Sequence, residues 1–334
     1  METIAGHLQF ARGQPEHHCD CHWFEDRCLT CSLPGQSRPD IGPLLCPERK
    51  PSLGVSRGRY HRRNVAPIAD RALKLLAGAR TPEAVRAAVE LLGDDHPQLR
   101  PALLDRYAAL AANPYRLDQG AHVRAEIVRS LRPMITHADI PVLEDAAAVY
   151  ERLPPSKEDV AGGLRGAALT VLSQVDERLA SFHAARMLGD ASRFSEEPGL
   201  TAVRVLAALG NVTALYAYLQ TPADGERCAE ALRAMIDAPP SAVKDLIEMY
   251  GSASDQVQLL GLFDLLLARS DRDDYIAFVA DFLRSSKLLE LCRYVATTIV
   301  AEQYPRLVEM LRDVQASTHD RRLADAYTEA LALR

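Results

Sequence analysis

Residues 202–210 read Ala-Val-Arg-Val-Leu-Ala-Ala-Leu-Gly, the clearest instance of a phrase that opens one helix after another in this chain. A Val-Arg-x-x-Ala-like opening occurs at Val85-Arg86, Val123-Arg124, Leu164-Arg165 and Val203-Arg204, with weaker versions at Arg227-Cys228, Val257-Gln258 and Leu291-Cys292. Arg86, Arg124, Arg165, Arg204, Arg227, Gln258 and Cys292 follow one another at intervals of 38, 41, 39, 23, 31 and 34 residues. Each phrase is followed by a short polar break and a second helical stretch, as at 140–150 or 242–250. Such a unit, repeated with drift, predicts helix pairs stacked on their sequence neighbours.

Local signals agree with a helical body. Thr81-Pro82-Glu83 offers a side-chain cap, a proline at the first helical position and an acid in the first turn, and Gly93 supplies the stop. The next helix is expected from near Asp95 through Leu103, Leu104 and Tyr107 to Asn113-Pro114. Further breaks fall at Leu153-Pro154-Pro155, Glu197-Pro198-Gly199, 221–225, Ala238-Pro239-Pro240 and Tyr304-Pro305. Between them there are no runs of β-branched residues alternating with period two, so the body is expected to be all-α.

Helix faces point to stacking as well. Residues 257–267, VQLLGLFDLLL, are apolar almost all round, as a helix enclosed by neighbours must be. The helix expected from Asp274 places Tyr275, Ile276, Val279, Phe282 and Leu283 on one side and leaves Asp281 and Arg284 to water. Leu206, inside the opening phrase, is a predicted core residue.

These phrases resemble HEAT-like repeats, in which pairs of antiparallel helices stack into an α-solenoid. The resemblance covers roughly residues 82–334 and is best at 202–210 with Leu215 and Leu219. It implies a scaffold or protein-binding surface. Some proteins of this architecture are similar to DNA-repair glycosylases, and an iron-binding hydroxylase branch uses paired His-Glu steps that this chain lacks.

Upstream, residue choice turns from architectural to chemical. Residues 17–23 read His-His-Cys-Asp-Cys-His-Trp, Cys28 and Cys31 follow, and Cys46 comes after a Pro/Gly-rich gap. Five of the seven cysteines therefore fall within 28 positions, together with His17, His18, His22 and the only tryptophan, Trp23. Cys28-x-x-Cys31 has zinc-knuckle spacing, and Cys19-x-Cys21 presents alternate residues to one side of an extended segment. Cys19, Cys21, Cys28 and Cys31 can close a four-sulfur shell, with His17, His18, His22 or Cys46 as substitute ligands. Structural zinc is the favoured occupant, ahead of free or redox thiols and an iron–sulfur cluster. A closed shell leaves no position for water, which favours a structural over a catalytic role.

The expected organisation is a cysteine-rich module over 1–48, a basic linker over 49–63 and a helical body over 64–334. Residues 1–63 hold nine Lys/Arg against seven Asp/Glu, which leaves 30 against 38 for the body. In the linker, Arg49, Lys50, Arg57, Arg59, Arg62 and Arg63 are uninterrupted by acids, and Pro51, Gly54 and Gly58 argue for a loop. Arg57, Arg59, Arg62 and Arg63 are candidate phosphate contacts, weighed against a solvated linker. The opening METIAGHLQFARG lacks the pattern of a secretory signal, and no run approaches the length of a membrane span. A cytoplasmic location is the expectation.

Enzyme signatures are sparse. Gly162-Gly163-Leu-Arg-Gly166 superficially resembles a nucleotide loop, but no strand precedes it, and close helix packing is preferred. Asp271, Asp273 and Asp274 cluster like carboxylates that could hold a metal, but are expected instead to cap the helix containing Tyr275. His96, His122, His137 and His183 have no partner at ligand spacing and read as surface or satisfied residues, and Cys228 and Cys292 as buried packing. The leading expectation is a non-enzymatic scaffold for a protein partner, the runner-up a nucleic-acid-binding or repair protein using the cysteine module and basic arm.

Overall fold

The computed structural model describes residues 62–333, except 156, 191–194, 222–224 and 270, together with two short strands upstream, β1 (Trp23–Phe24) and β2 (Arg27–Cys28). The chain divides into two compact units, Met1–Ser56 and Arg57–Arg334, a boundary inside the stretch read as a basic linker. In the first unit β1 and β2 pair antiparallel, with Trp23 opposite Cys28 and Phe24 opposite Arg27.

Among the described residues the second unit is almost entirely helical, with one short hairpin. Its helices are α1 (Arg62–Gly78), α2 (Pro82–Leu92), α3 (Leu99–Ala111), α4 (Pro114–Leu117), α5 (His122–Leu131) and α6 (Ile140–Ala147). The hairpin of β3 (Arg152–Leu153) and β4 (Glu158–Asp159) follows, at the break expected from Pro154-Pro155. Then come α7 (Gly162–Leu172), α8 (Glu177–Met187), α9 (Gly199–Ala208), α10 (Val212–Leu219), α11 (Gly225–Arg233) and α12 (Pro240–Tyr250). The remainder is α13 (Gln256–Ala268), α14 (Ile276–Ser285), α15 (Leu289–Ala301), α16 (Pro305–Ser317) and α17 (Arg321–Leu331). No helix among the described residues is long and apolar enough to cross a membrane.

The caps show why these stretches are helices. Thr81 Oγ1 accepts from the Ala84 amide at 3.3 Å, Pro82 follows it, and Gly93 ends α2 at a positive φ of 75°. Asp176, Asn211, Asp255 and Asp320 cap α8, α10, α13 and α17 in the same way. Three boundaries differ from expectation. α1 begins at Arg62, so Arg62 and Arg63 belong to a helix rather than to the linker; arginine is a strong helix former, and Gly58 is the last breaker before it. α3 begins at Leu99 rather than near Asp95, because the His96 ring accepts from the Gln98 amide and holds a turn there. The segment before α14 is a 3₁₀ turn, Arg272–Tyr275, with no side-chain cap: Asp271 and Asp273 instead face Arg269 and Arg306.

The helices form two sets. In one, α2 touches α5, and contact then passes through α7, α9, α11, α13 and α15 to α17. Most of the helices between them pack on this row: α3 on α5, α6 on α7, α8 on α9, α10 on α9 and α11, α12 on α13, and α16 on both α15 and α17, while α14 packs on α16. Burial follows the arrangement. Row helix α13 buries Leu259, Leu262, Phe263, Leu265, Leu266 and Leu267 around most of its circumference. Its neighbour α12 buries one stripe, Ala242, Val243, Leu246 and Tyr250, at helical spacing. α11 and α13 approach so closely that a Cβ on Gly261 would stand 2.5 Å from the Ala229 Cα, which accounts for a glycine inside so apolar a helix. Leu206 is fully buried, as expected.

Candidate functional site

Most residues singled out upstream, namely His17, His18, Cys19, Cys21, His22, Cys31, Cys46, Arg57 and Arg59, lie outside the described residues. Cys28 is in β2, opposite Trp23, and Arg62 and Arg63 open α1. Among the described residues there is no group of three or more His, Cys, Asp or Glu placed to hold a metal. Cys228 and Cys292 are buried, and that burial pushes both thiols up, against weaker opposing hydrogen bonds from Tyr250 and Tyr327. They are packing residues. His183 is also buried; its ring meets Glu144 at 3.4 Å and Arg186 at 3.2 Å.

The repeated Val-Arg phrase separates into two physically different arginines. Arg124, Arg165 and Arg227 sit in the first turn of α5, α7 and α11 and are 2%, 2% and 3% exposed. Arg86 and Arg204 are the fifth and sixth residues of α2 and α9, are exposed, and pair across the row with Glu126 at 3.1 Å and Glu230 at 3.0 Å. The phrase therefore starts at different depths in different helices and does not mark equivalent positions.

The buried arginines deal with carbonyls that helix ends leave without partners. Arg165 donates to the Val149 carbonyl at 2.8 Å, pairs with Asp159 at 2.6 Å and stacks 4.0 Å from the Tyr150 ring. Arg227 reaches the Leu188 and Asp190 carbonyls at 3.1 and 3.2 Å and the Glu196 carboxylate at 3.0 Å. Arg269, at the end of α13, takes the Ile236 and Ala238 carbonyls at 2.7 and 2.8 Å and faces Asp271. Arg124 lies between two buried acids, bonding Asp118 at 3.0 Å and Glu151. Burial opposes its charge, but the hydrogen bonds to Glu151 and Asp118 outweigh that and hold its pKa up. Tyr107 is also buried, and burial pushes its phenol up to about 12.

A concavity runs along α7. Two adjoining cavities of about 280 and 390 Å3 share Arg129, Gly163 and Glu197 in their walls. The floor is α7 itself, through Gly163, Ala167 and Thr170. Gly162 is locked in place, since a Cβ there would stand 2.3 Å from the Glu197 carbonyl oxygen. Gly163 has open space where a side chain would project, so it is the residue that keeps the groove empty. The expectation of close helix packing thus describes Gly162 and not Gly163.

One wall belongs to α5 and the 3₁₀ turn after it, with His122, Arg129 and Arg132. The opposite wall carries Glu197 and Thr201, at the approach to α9 and in its first turn. Of the two acids lining the groove, Asp159 is paired with Arg165, whereas among the described residues Glu197 accepts only from the Thr201 amide at 3.3 Å. Nor are the cations fully matched. Arg129 meets Glu126 at 3.3 Å, but Arg86 shares that carboxylate, and the side chain of Arg129 is 53% exposed. Arg132 meets a neutral group: the Gln174 amide, with its oxygen turned toward the guanidinium, accepts at 2.8 Å. Periodicity alone would not find this groove, although the unusual Gly162-Gly163-x-x-Gly166 spacing marked its floor.

Comparison of the chain with protein-family models, with curated proteins and with solved structures returns no match.

Proposed function

We propose that this chain is a non-enzymatic interaction scaffold, a HEAT-like α-solenoid that offers a long helical surface to a protein partner. The observation that carries the reading is the unbroken contact row from α2 to α17, in which each helix touches the next. Across the row, Arg86–Glu126–Arg129 and, further on, Arg204–Glu230–Arg233–Asp264 form cross-helix ladders of alternating charge. Surface of this kind, spread over many repeats, suits an extended partner better than a small substrate. The cysteine-rich N-terminal stretch is proposed as a zinc module held by Cys19, Cys21, Cys28 and Cys31, on the strength of ligand spacing.

Affinity capture with the full chain from native lysate, under nuclease treatment, tests the first part. Protein partners should be retained, and capture that disappears with nuclease would move the reading to the nucleic-acid-binding alternative. Metal analysis of the same reduced, purified protein tests the second, with about one zinc per chain expected. Iron in its place, or no metal, would sink the zinc proposal.

A further inference from the structure

We propose that the groove along α7 is the docking site for an extended peptide segment that carries aspartate or glutamate side chains; this rests on the scaffold reading and names its site and partner chemistry. Shape comes first. The two cavities lie end to end over a helix of 11 residues, about 16 Å long, which an extended chain spans with about five residues. A floor of glycine and alanine admits the close approach of another backbone, and Thr170 and Thr201 supply hydroxyls beside it.

Charge comes second and selects the occupant. α7 contains a single charged residue, Arg165, and that one is buried. The charge ladder is therefore interrupted here, between Arg129 on α5 and Arg204 on α9. Arg129 reaches the gap with half a carboxylate partner and Arg132 with only an amide. Two guanidinium groups on one wall outnumber Glu197, the lining carboxylate without an arginine partner among the described residues, and are complementary to an incoming carboxylate, which each can bind through paired N–H donors. A phosphate backbone fits less well. Repeating phosphates need a continuous basic track, whereas this groove has arginines on one wall only and Glu197 on the other.

The test is fluorescence anisotropy on the full chain with a fluorescein-labelled octapeptide of alternating glycine and glutamate, beside its glycine–glutamine counterpart. The glutamate peptide should bind at least about tenfold more tightly, the difference expected of charge-assisted hydrogen bonds. Combining Arg129→Ala with Arg132→Ala should bring the two peptides to within about twofold of each other. Gly163→Leu should weaken both peptides while leaving the far-ultraviolet circular dichroism intact, because the added side chain enters open space. Equal binding of the two peptides, or glutamate binding that survives both variants, overturns the proposal. So does tighter binding of a labelled single-stranded DNA octamer that requires the same arginines. Failure of the scaffold reading looks different: the wild-type chain would retain no protein partner under nuclease treatment while still binding the glutamate peptide. Conversely, partner capture that persists in both variants, with no peptide preference, removes the groove and leaves the scaffold.

Discussion

Between α5 and α11, helices are tied together by guanidinium groups taken out of water; between α14 and α17 a neutral hydroxyl makes the tie. In the first stretch Arg124, Arg165 and Arg227 are almost fully buried, with Asp118 and Glu151 beside the first of them. Beyond Arg269 no charged side chain is buried among the described residues. There the Tyr327 hydroxyl donates to the Leu283 carbonyl at 2.7 Å, and the surrounding core is apolar, with Cys292, Val295 and Ile299. Tyr250 anticipates this arrangement in the middle of the chain, donating to the Leu219 carbonyl at the end of α10. Burial holds both phenols well above the usual tyrosine range, so each remains a donor at physiological pH.

Both solutions satisfy carbonyls at helix ends, but their energetics differ. A buried guanidinium loses several kcal/mol of hydration, on the order recovered only when carboxylates and carbonyls surround it completely. Its partners then depend on it in turn. A hydroxyl loses little on burial and leaves only one acceptor behind when it is removed. The first stretch should therefore be the more sensitive to substitution.

The largest effect is expected from Arg124→Ala, which leaves Asp118 and Glu151 buried without their cation. A loss of about 3–5 kcal/mol is expected, read as a lower midpoint in denaturant titration at 222 nm. A loss below about 1 kcal/mol would mean that water reaches the two acids freely, and the contrast between the stretches would collapse. Tyr327→Phe should cost about 1–3 kcal/mol, the penalty of one unsatisfied buried carbonyl. If it costs as much as Arg124→Ala, charge burial is not what separates the two regions. The smallest effect belongs to Arg204→Ala, within about 0.5 kcal/mol, because its partnership with Glu230 is exposed. That substitution sharpens the comparison, since Arg204 occupies the same sequence phrase as Arg124. A large loss there would show that the phrase, rather than burial, governs stability.

The part of the fold written in local sequence was legible without coordinates. Thr81-Pro82-Glu83 and Gly93 bound α2, the apolar run 257–267 is enclosed in α13, and Val279 and Leu283 lie on the buried side of α14, because caps and helical period involve residues only a few positions apart. The all-α class and the buried state of Cys228 and Cys292 follow from the same short-range patterns.

Only the tertiary structure decided which arginines are structural and where the groove lies. Arg124 and Arg204 read alike along the chain, yet the first is buried and the second exposed, and the acid Glu151 that receives Arg124 stands 27 residues away. The groove needs Gly163 on α7, Arg129 on α5 and Glu197 before α9, three segments that meet only when the row is stacked. Helical period sets which residues share a face; what that face meets depends on the neighbouring helix, and the partner's identity is fixed by packing between distant segments.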